Sequence, residues 1–131
     1  MEENVLIRFI ITQFEGIQTE FSNGATFFFT GNDHKFPFAT LVTNDFHDTA
    51  SNLNRAGVFR LNIGVSKATF QRLFEGKSDF DFSALDQIMP HPIYGMMFWI
   101  CVLSPSENTL ETVHGLLAEA YQLDRAKRTK E

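Results

Sequence analysis

"GVFRLNIGVSK", residues 57–67, decides how this chain is read. Taken with a period of two, Phe59, Leu61, Ile63 and Val65 fall on one face, and Val58, Arg60, Asn62 and Gly64 on the other. That alternation predicts a strand with a buried apolar side. It also sets a guanidinium and a carboxamide next to each other on the opposite side. Ser66 is placed to cap a following helix, with Val65 as a hydrophobic staple to Phe70, and Gly76 stops that helix.

Working outward, three strands precede this one. "GIQTEFS" alternates, "NG" at 23–24 signals a two-residue hairpin whose central residues need positive φ, and "ATFFFT" returns as the second strand. "FATLVT", 38–43, is the third, so the three read as an antiparallel meander. "NVLIRFIITQF", 4–14, is rich in β-branched residues, yet Val5, Leu6, Phe9, Ile10 and Gln13 recur at helical spacing, and a helix is the favoured reading. The polar stretch "NDFHDTASNLNRAG", 44–57, is long for a loop in a small domain, which makes it functional or partly structured.

Beyond the helix at 66–76, Ser83 with Asp86 reads as a capping box opening one or two helical turns. "MPHPIYG" bends the chain. "MMFWICVL", 96–103, is apolar on both faces, as in a strand covered on both sides. In "SPSE", Ser104 reads as the cap, Pro105 as the first helical residue and Glu107 as the reciprocal partner of a final helix running to about residue 127. The order α-β-β-β-β-α-(α)-β-α predicts an α+β fold. It consists of a single antiparallel sheet of about five strands packed with N- and C-terminal helices, as one domain over 1–131.

The composition narrows the function classes. The apolar fraction of 44% against 21% charged residues is that of a globular chain with a real core. Fifteen phenylalanines predict an aromatic core, with some rings left for a homodimer interface or an apolar pocket. A net charge of −5 sets up no global attraction to nucleic acid or anionic lipid, so neither is an expected partner. The basic run "RAKRTK", 125–130, reads as the end of a helix and a solvated tail. The acidic start lacks the features of a signal peptide, no stretch has the length of a membrane span, and the lone Cys101 sits in an apolar run. The expected compartment is the cytoplasm.

Motif chemistry is sparse. No two of His34, His47, His91 and His114 have the spacing of a helical zinc site, and "DFHD" offers two metal ligands at most. "DFDFS" begins like a calcium loop but has Ala84 and Pro90 where Gly and Glu are required, so Phe80 and Phe82 are expected to point inward. No nucleophile elbow or phosphate loop is present, and no metal or cofactor is implied. His114 reads as a histidine at the core edge. His91, between two prolines and followed by Tyr94 and Gly95, is either a preorganised ligand group or part of a rigid connector pinned by the Tyr hydroxyl. Arg60 needs an anionic partner. Asp45, Asp48 and Glu20 could supply a structural salt bridge, which is the favoured reading; the alternative is an anionic group on a ligand.

The blocks "KFPFATLVTNDFHDTASNLNRAGVFRLNIGVSKATFQRLF" (35–74) and "DFSALDQIMPHPIYGMMFWICVLSPSE" (81–107) resemble a family of small bacterial proteins of this length, classed as a domain of unknown function. Trp99, its apolar strand and the helix carrying "LLAEAY" also resemble the MmcQ/YjbR-like proteins. That second resemblance implies a compact α+β domain of the kind in which a DNA-binding double wing has been described. Neither resemblance supplies catalytic residues. The expected function is a non-enzymatic binding module for a small anionic molecule or a protein, using Arg60, Asn62, His91 and Tyr94. The alternative is a hydrolase- or isomerase-type enzyme with His91 or His34 as acid/base, and DNA binding ranks last.

Overall fold

The alternation in the opening stretch becomes the centre of a sheet. A computed structural model describes residues 2–129. Its elements are α1 (Glu3–Gln13), β1 (Gln18–Ser22), β2 (Ala25–Phe29), β3 (Ala39–Val42), β4 (Arg60–Gly64), α2 (Lys67–Phe74), β5 (Met89–Pro90), β6 (Trp99–Leu103) and α3 (Glu107–Thr129). The strands form one antiparallel sheet in the order β1-β2-β3-β4-β6-β5. The fold is α+β, with six strands where about five are expected; the sixth is the two-residue β5, too short to leave a periodic signal. Lys130, at the end of the basic run, lies outside the described residues.

The register sorts the side chains. Leu61 and Ile63 of β4 join Leu41 of β3, Phe28 of β2 and Ile100 and Val102 of β6 on one face. Leu6 and Ile10 of α1 and Val113, Leu117 and Tyr121 of α3 bury that face. The β-branched residues of 4–14 are helical because this packing outweighs local propensity. The buried seam of α1 is narrower than its spacing predicts: Leu6 and Ile10 are inaccessible, whereas Val5 is 53% exposed and Gln13 is exposed. On the opposite face Ala25, Val42, Cys101, Leu103, Leu53 and Met89 form a second apolar cluster. Irregular chain covers it rather than helix. Phe80 and Phe82 pack on it while Asp79 and Asp81 stay exposed.

The hairpin and the cap of α2 form as their local signals require. Asn23 and Gly24 take φ of 51° and 81° between the paired Ser22 and Ala25, as the hairpin requires. Ser66 Oγ accepts the Thr69 N–H at the start of α2.

Three expectations are corrected. No helix opens at Ser83: its N–H and Oγ–H both donate to Asp81 Oδ1, and Asp86 has a φ of 58°, which a right-handed helix does not admit. The strand predicted from residue 96 begins at Trp99. Gly95–Met97 form a 3-10 turn, and Phe98 (φ 65°) donates its N–H to the Gly95 carbonyl. The final helix is capped by Ser106, not Ser104. Ser104 (φ 39°) is tied to Phe59 of the neighbouring strand, its N–H donating to the Phe59 carbonyl and its Oγ accepting the Phe59 N–H. Ser106 Oγ accepts the Asn108 N–H, and its own N–H and hydroxyl donate to the two carboxylate oxygens of Asp86, both at 2.6 Å. Those bonds hold the Asp86 carboxyl below the usual carboxylate range. Asp86 thus fastens the start of α3 to the segment before β5.

The seam of α1 can be checked by urea denaturation. Leu6→Ala is expected to cost about 3 kcal/mol, as a large-to-small change at a closed core site. Val5→Ala is expected to stay within about 0.5 kcal/mol. Equal losses at the two positions would contradict the orientation of the helix.

Candidate functional site

The face of the sheet without helices carries the polar row. Thr40 of β3 pairs with Asn62 of β4, Asn62 with Cys101 of β6, and Phe27 of β2 with Thr40, so these side chains lie side by side across the strands. Arg60 stands one step along β4 on the same face and is 1% exposed.

A guanidinium so deeply buried needs compensation. Its Nε–H donates to Asn62 Oδ1 at 3.0 Å, Nη1 to Asp48 Oδ1 and Ser51 Oγ at 3.0 Å each, and Nη2 to Asp48 Oδ2 at 2.6 Å. Four of the five N–H groups an arginine carries are thereby used. Asn62 in turn donates to Thr40 Oγ1 at 2.9 Å. The fork-to-fork pair with Arg60 holds the Asp48 carboxyl below its ordinary range, against the opposing effect of burial.

The long polar segment 44–57 exists in this form to deliver Asp48 and Ser51. Two Asx bonds and a longer one fold it: the Phe46 N–H donates to Asn44 Oδ1 and the Ala50 N–H to Asp48 Oδ1, while the Leu53 N–H donates back across the segment to Asp45 Oδ1. Arg55 braces it through the carbonyls of Ser51, Asn52 and Ser83. Of the three carboxylates expected to compete for Arg60, Asp48 takes it. Asp45 is spent on Leu53, and Glu20 lies 3.4 Å from His34 Nδ1. Arg60 therefore makes the favoured internal salt bridge, and the alternative, an anionic group on a ligand, finds the charge already met.

His91 is 5% exposed and follows β5. Its Nδ1 accepts two backbone N–H groups, from Ile93 at 3.1 Å and Tyr94 at 3.0 Å. An acceptor at Nδ1 places the proton of the neutral ring on Nε2. Burial first, then the nearby Arg60 charge, push the pKa of His91 down to about 4, with Asp48 opposing. His91 is thus a neutral ring with a fixed tautomer. Its Nε2–H has no acceptor among the described residues. The Tyr94 hydroxyl likewise makes no hydrogen bond among them, so the connector is pinned by the imidazole and not by the phenol.

Arg60, Asn62, His91 and Tyr94 line one cavity of about 410 Å³. Sequence reasoning missed its apolar walls, Phe27, Phe36, Met97 and Trp99, and the neighbouring His47. The register in front of β4 was the available signal for Phe27. Trp99 depends on a contact that spacing does not reveal: a Cβ on Gly64 would lie 3.1 Å from the indole, so the missing side chain leaves the ring its place. A larger concavity, about 660 Å³, lies between α2 and Pro90, but its polar side chains, Gln71, Arg72, Glu75 and Lys77, are exposed surface groups. The 410 Å³ cavity is the stronger candidate because its polar groups are buried and oriented.

Other singled-out residues lie elsewhere. His34 stacks on Phe29 at 4.5 Å between rings, and its nitrogens face Gln18 and Glu20, outside the cavity lining. His114 stacks on Phe9 at 3.7 Å, and burial lowers its pKa. Cys101 is buried, and burial pushes its thiol up to about 12, which makes it unreactive at neutral pH. Among the described residues, no three His, Cys, Asp or Glu side chains gather as a metal site. Among the described residues no helix is long and apolar enough to cross a membrane.

The fixed imidazole has a pH signature. The folded value near 4 lies below the ordinary 6.5, so between those values the unfolded chain binds the proton and the folded chain does not. Stability is complete above about pH 6.5 and falls as pH drops toward 4, by about 3 kcal/mol in all. His91→Asn offers Oδ1 to the same backbone donors and cannot titrate, so it is expected to flatten this slope. An unchanged slope in denaturation measured from pH 7 to 4 would show that His91 is not its source.

Comparison with known proteins places the fold. A crystal structure of a protein from Pseudomonas syringae superposes with a TM-score of 0.66 at 16% identity, covering 95% of this chain and 99% of that one. That likeness shows a shared fold. No curated protein matches the chain. The model of a family of unknown function, DUF6194, matches residues 1–131, and the chain belongs to that family.

Proposed function

We propose that this protein binds a small molecule in the cavity on the helix-free face of its sheet, as a binding module and not as an acid/base enzyme. The observation that carries this reading is the Nε2–H of His91. It is a donor held in one orientation by two backbone bonds, it lacks a protein acceptor and reaches the surface, and the buried ring that carries it lines a cavity of ligand size. Ligand sites pair an apolar lining with a few fixed polar groups, and a bound acceptor would find such a group here. The surrounding aromatic side chains supply the apolar area that such sites use.

The chemistry of the ring favours binding over general base catalysis. A base needs a free lone pair, and here the lone pair on Nδ1 is engaged while Nε2 carries the proton. His34, the other acid/base candidate, stands over Phe29 with both nitrogens partnered. The double-wing DNA-binding role carried by the MmcQ/YjbR resemblance gains no support from a net charge of −5.

Trp99 is the chain's single tryptophan and lines the cavity, so its indole N–H resonance reports on occupancy. In a panel of aromatic amides, organic acids, nucleotides and metal ions, at least one class is expected to move this resonance and raise the Tm. A ligand at 100 times its Kd adds about 2.7 kcal/mol to stability. If no compound in the panel moves the Trp99 resonance, the binding reading is lost.

A further inference from the structure

The charge pattern of the cavity says what kind of molecule fits. Its arginine and its carboxylate, Arg60 and Asp48, neutralise each other through two hydrogen bonds. His91 is neutral and offers a donor. Asn62 has its oxygen committed to Arg60 and its amide to Thr40. The guanidinium of the lining already has its anion, so a carboxylate or phosphate seeking it would have to displace Asp48 from Arg60. That would strand the Asp48 carboxylate, whose side chain is 12% exposed, beside a second anion, which is a costly arrangement. A cation is disfavoured as well, because Asp48, the carboxylate of the lining, is already engaged by Arg60.

The mouth is apolar. Phe36 is 73% exposed, Met97 64% and Tyr94 52%, and these rim residues would be covered by the body of a ligand whose polar end reaches His91. We infer that the ligand is an uncharged, largely apolar molecule carrying a carbonyl-type acceptor, such as an amide or ketone, and that this acceptor takes the Nε2–H of His91. This deepens the binding reading above and rests on it.

Three probes of one ring system separate the charge states: indole-3-acetamide, indole-3-acetate and tryptamine. They are titrated at pH 7 into the full-length protein, and the Trp99 indole N–H and His91 ring resonances are followed by ¹⁵N NMR. The amide is expected to bind at least about tenfold more tightly than either ion. His91→Asn, which keeps an acceptor for the Ile93 and Tyr94 N–H groups, is expected to lose about tenfold of the amide affinity with its circular dichroism unchanged. Asp48→Asn leaves the Arg60 charge unpaired and is expected to reverse the order in favour of the acetate. Acetate or tryptamine binding the unaltered protein as tightly as the amide would overturn the inference and leave the binding reading standing. If none of the three moves either resonance while another member of the wider panel does, the inference falls alone. If nothing moves Trp99, both fall.

Discussion

A guanidinium buried in the middle of a sheet sets the terms for this molecule. Arg60 occupies an interior strand, and its side chain is almost sealed from solvent. Left alone, it would cost the fold several kcal/mol. Asp48 cancels that cost only if residues 44–57 fold into one conformation, which is what these side-chain bonds and the Arg55 brace achieve. The segment has little apolar material of its own, chiefly Leu53, so the ion pair does much of the work of docking it to the sheet. The same pair fixes one wall of the cavity, which ties the shape of the site to the stability of the fold.

Two polar side chains on the cavity face have their orientation set by hydrogen bonds to adjacent groups. Asn62 is locked between Arg60 and Thr40, so its amide cannot flip without losing one bond. His91 is locked by the turn it caps. A donor so fixed loses little entropy when it meets an acceptor. The flexible, exposed residues of the site, Met97 and Phe36, lie at the mouth, where adaptability does not disturb the polar end.

Much of this was legible in the residues. Alternation placed Arg60 and Asn62 on one face, the Asn23–Gly24 pair fixed a hairpin, and flanking prolines drew attention to His91. Asp48 was among the carboxylates named for Arg60. The failures share a cause: each turned on a contact between residues distant in sequence. Ser104 looks like a cap until Phe59 claims it, and Ser83 with Asp86 looks like a capping box until Asp86 turns to Ser106, 20 residues away. The run 96–103 is apolar throughout, and periodicity alone does not say where a 3-10 turn gives way to a strand. The cavity walls were illegible for the same reason, since Phe36, Met97 and Trp99 come from loops and strand ends that only the sheet brings together.

The shortness of β5 has a consequence for how copies of this chain meet. A sheet edge normally offers a ladder of open N–H and C=O groups on which a foreign strand can zip up. Here that border is two residues long, and one of them is Pro90, which has no N–H to give. The chain then turns away through the His91–Met97 loop. Fibrillar stacking is therefore blocked on this flank, and any lateral growth of the sheet must begin at β1, where Glu20 sets a negative charge among the exposed residues.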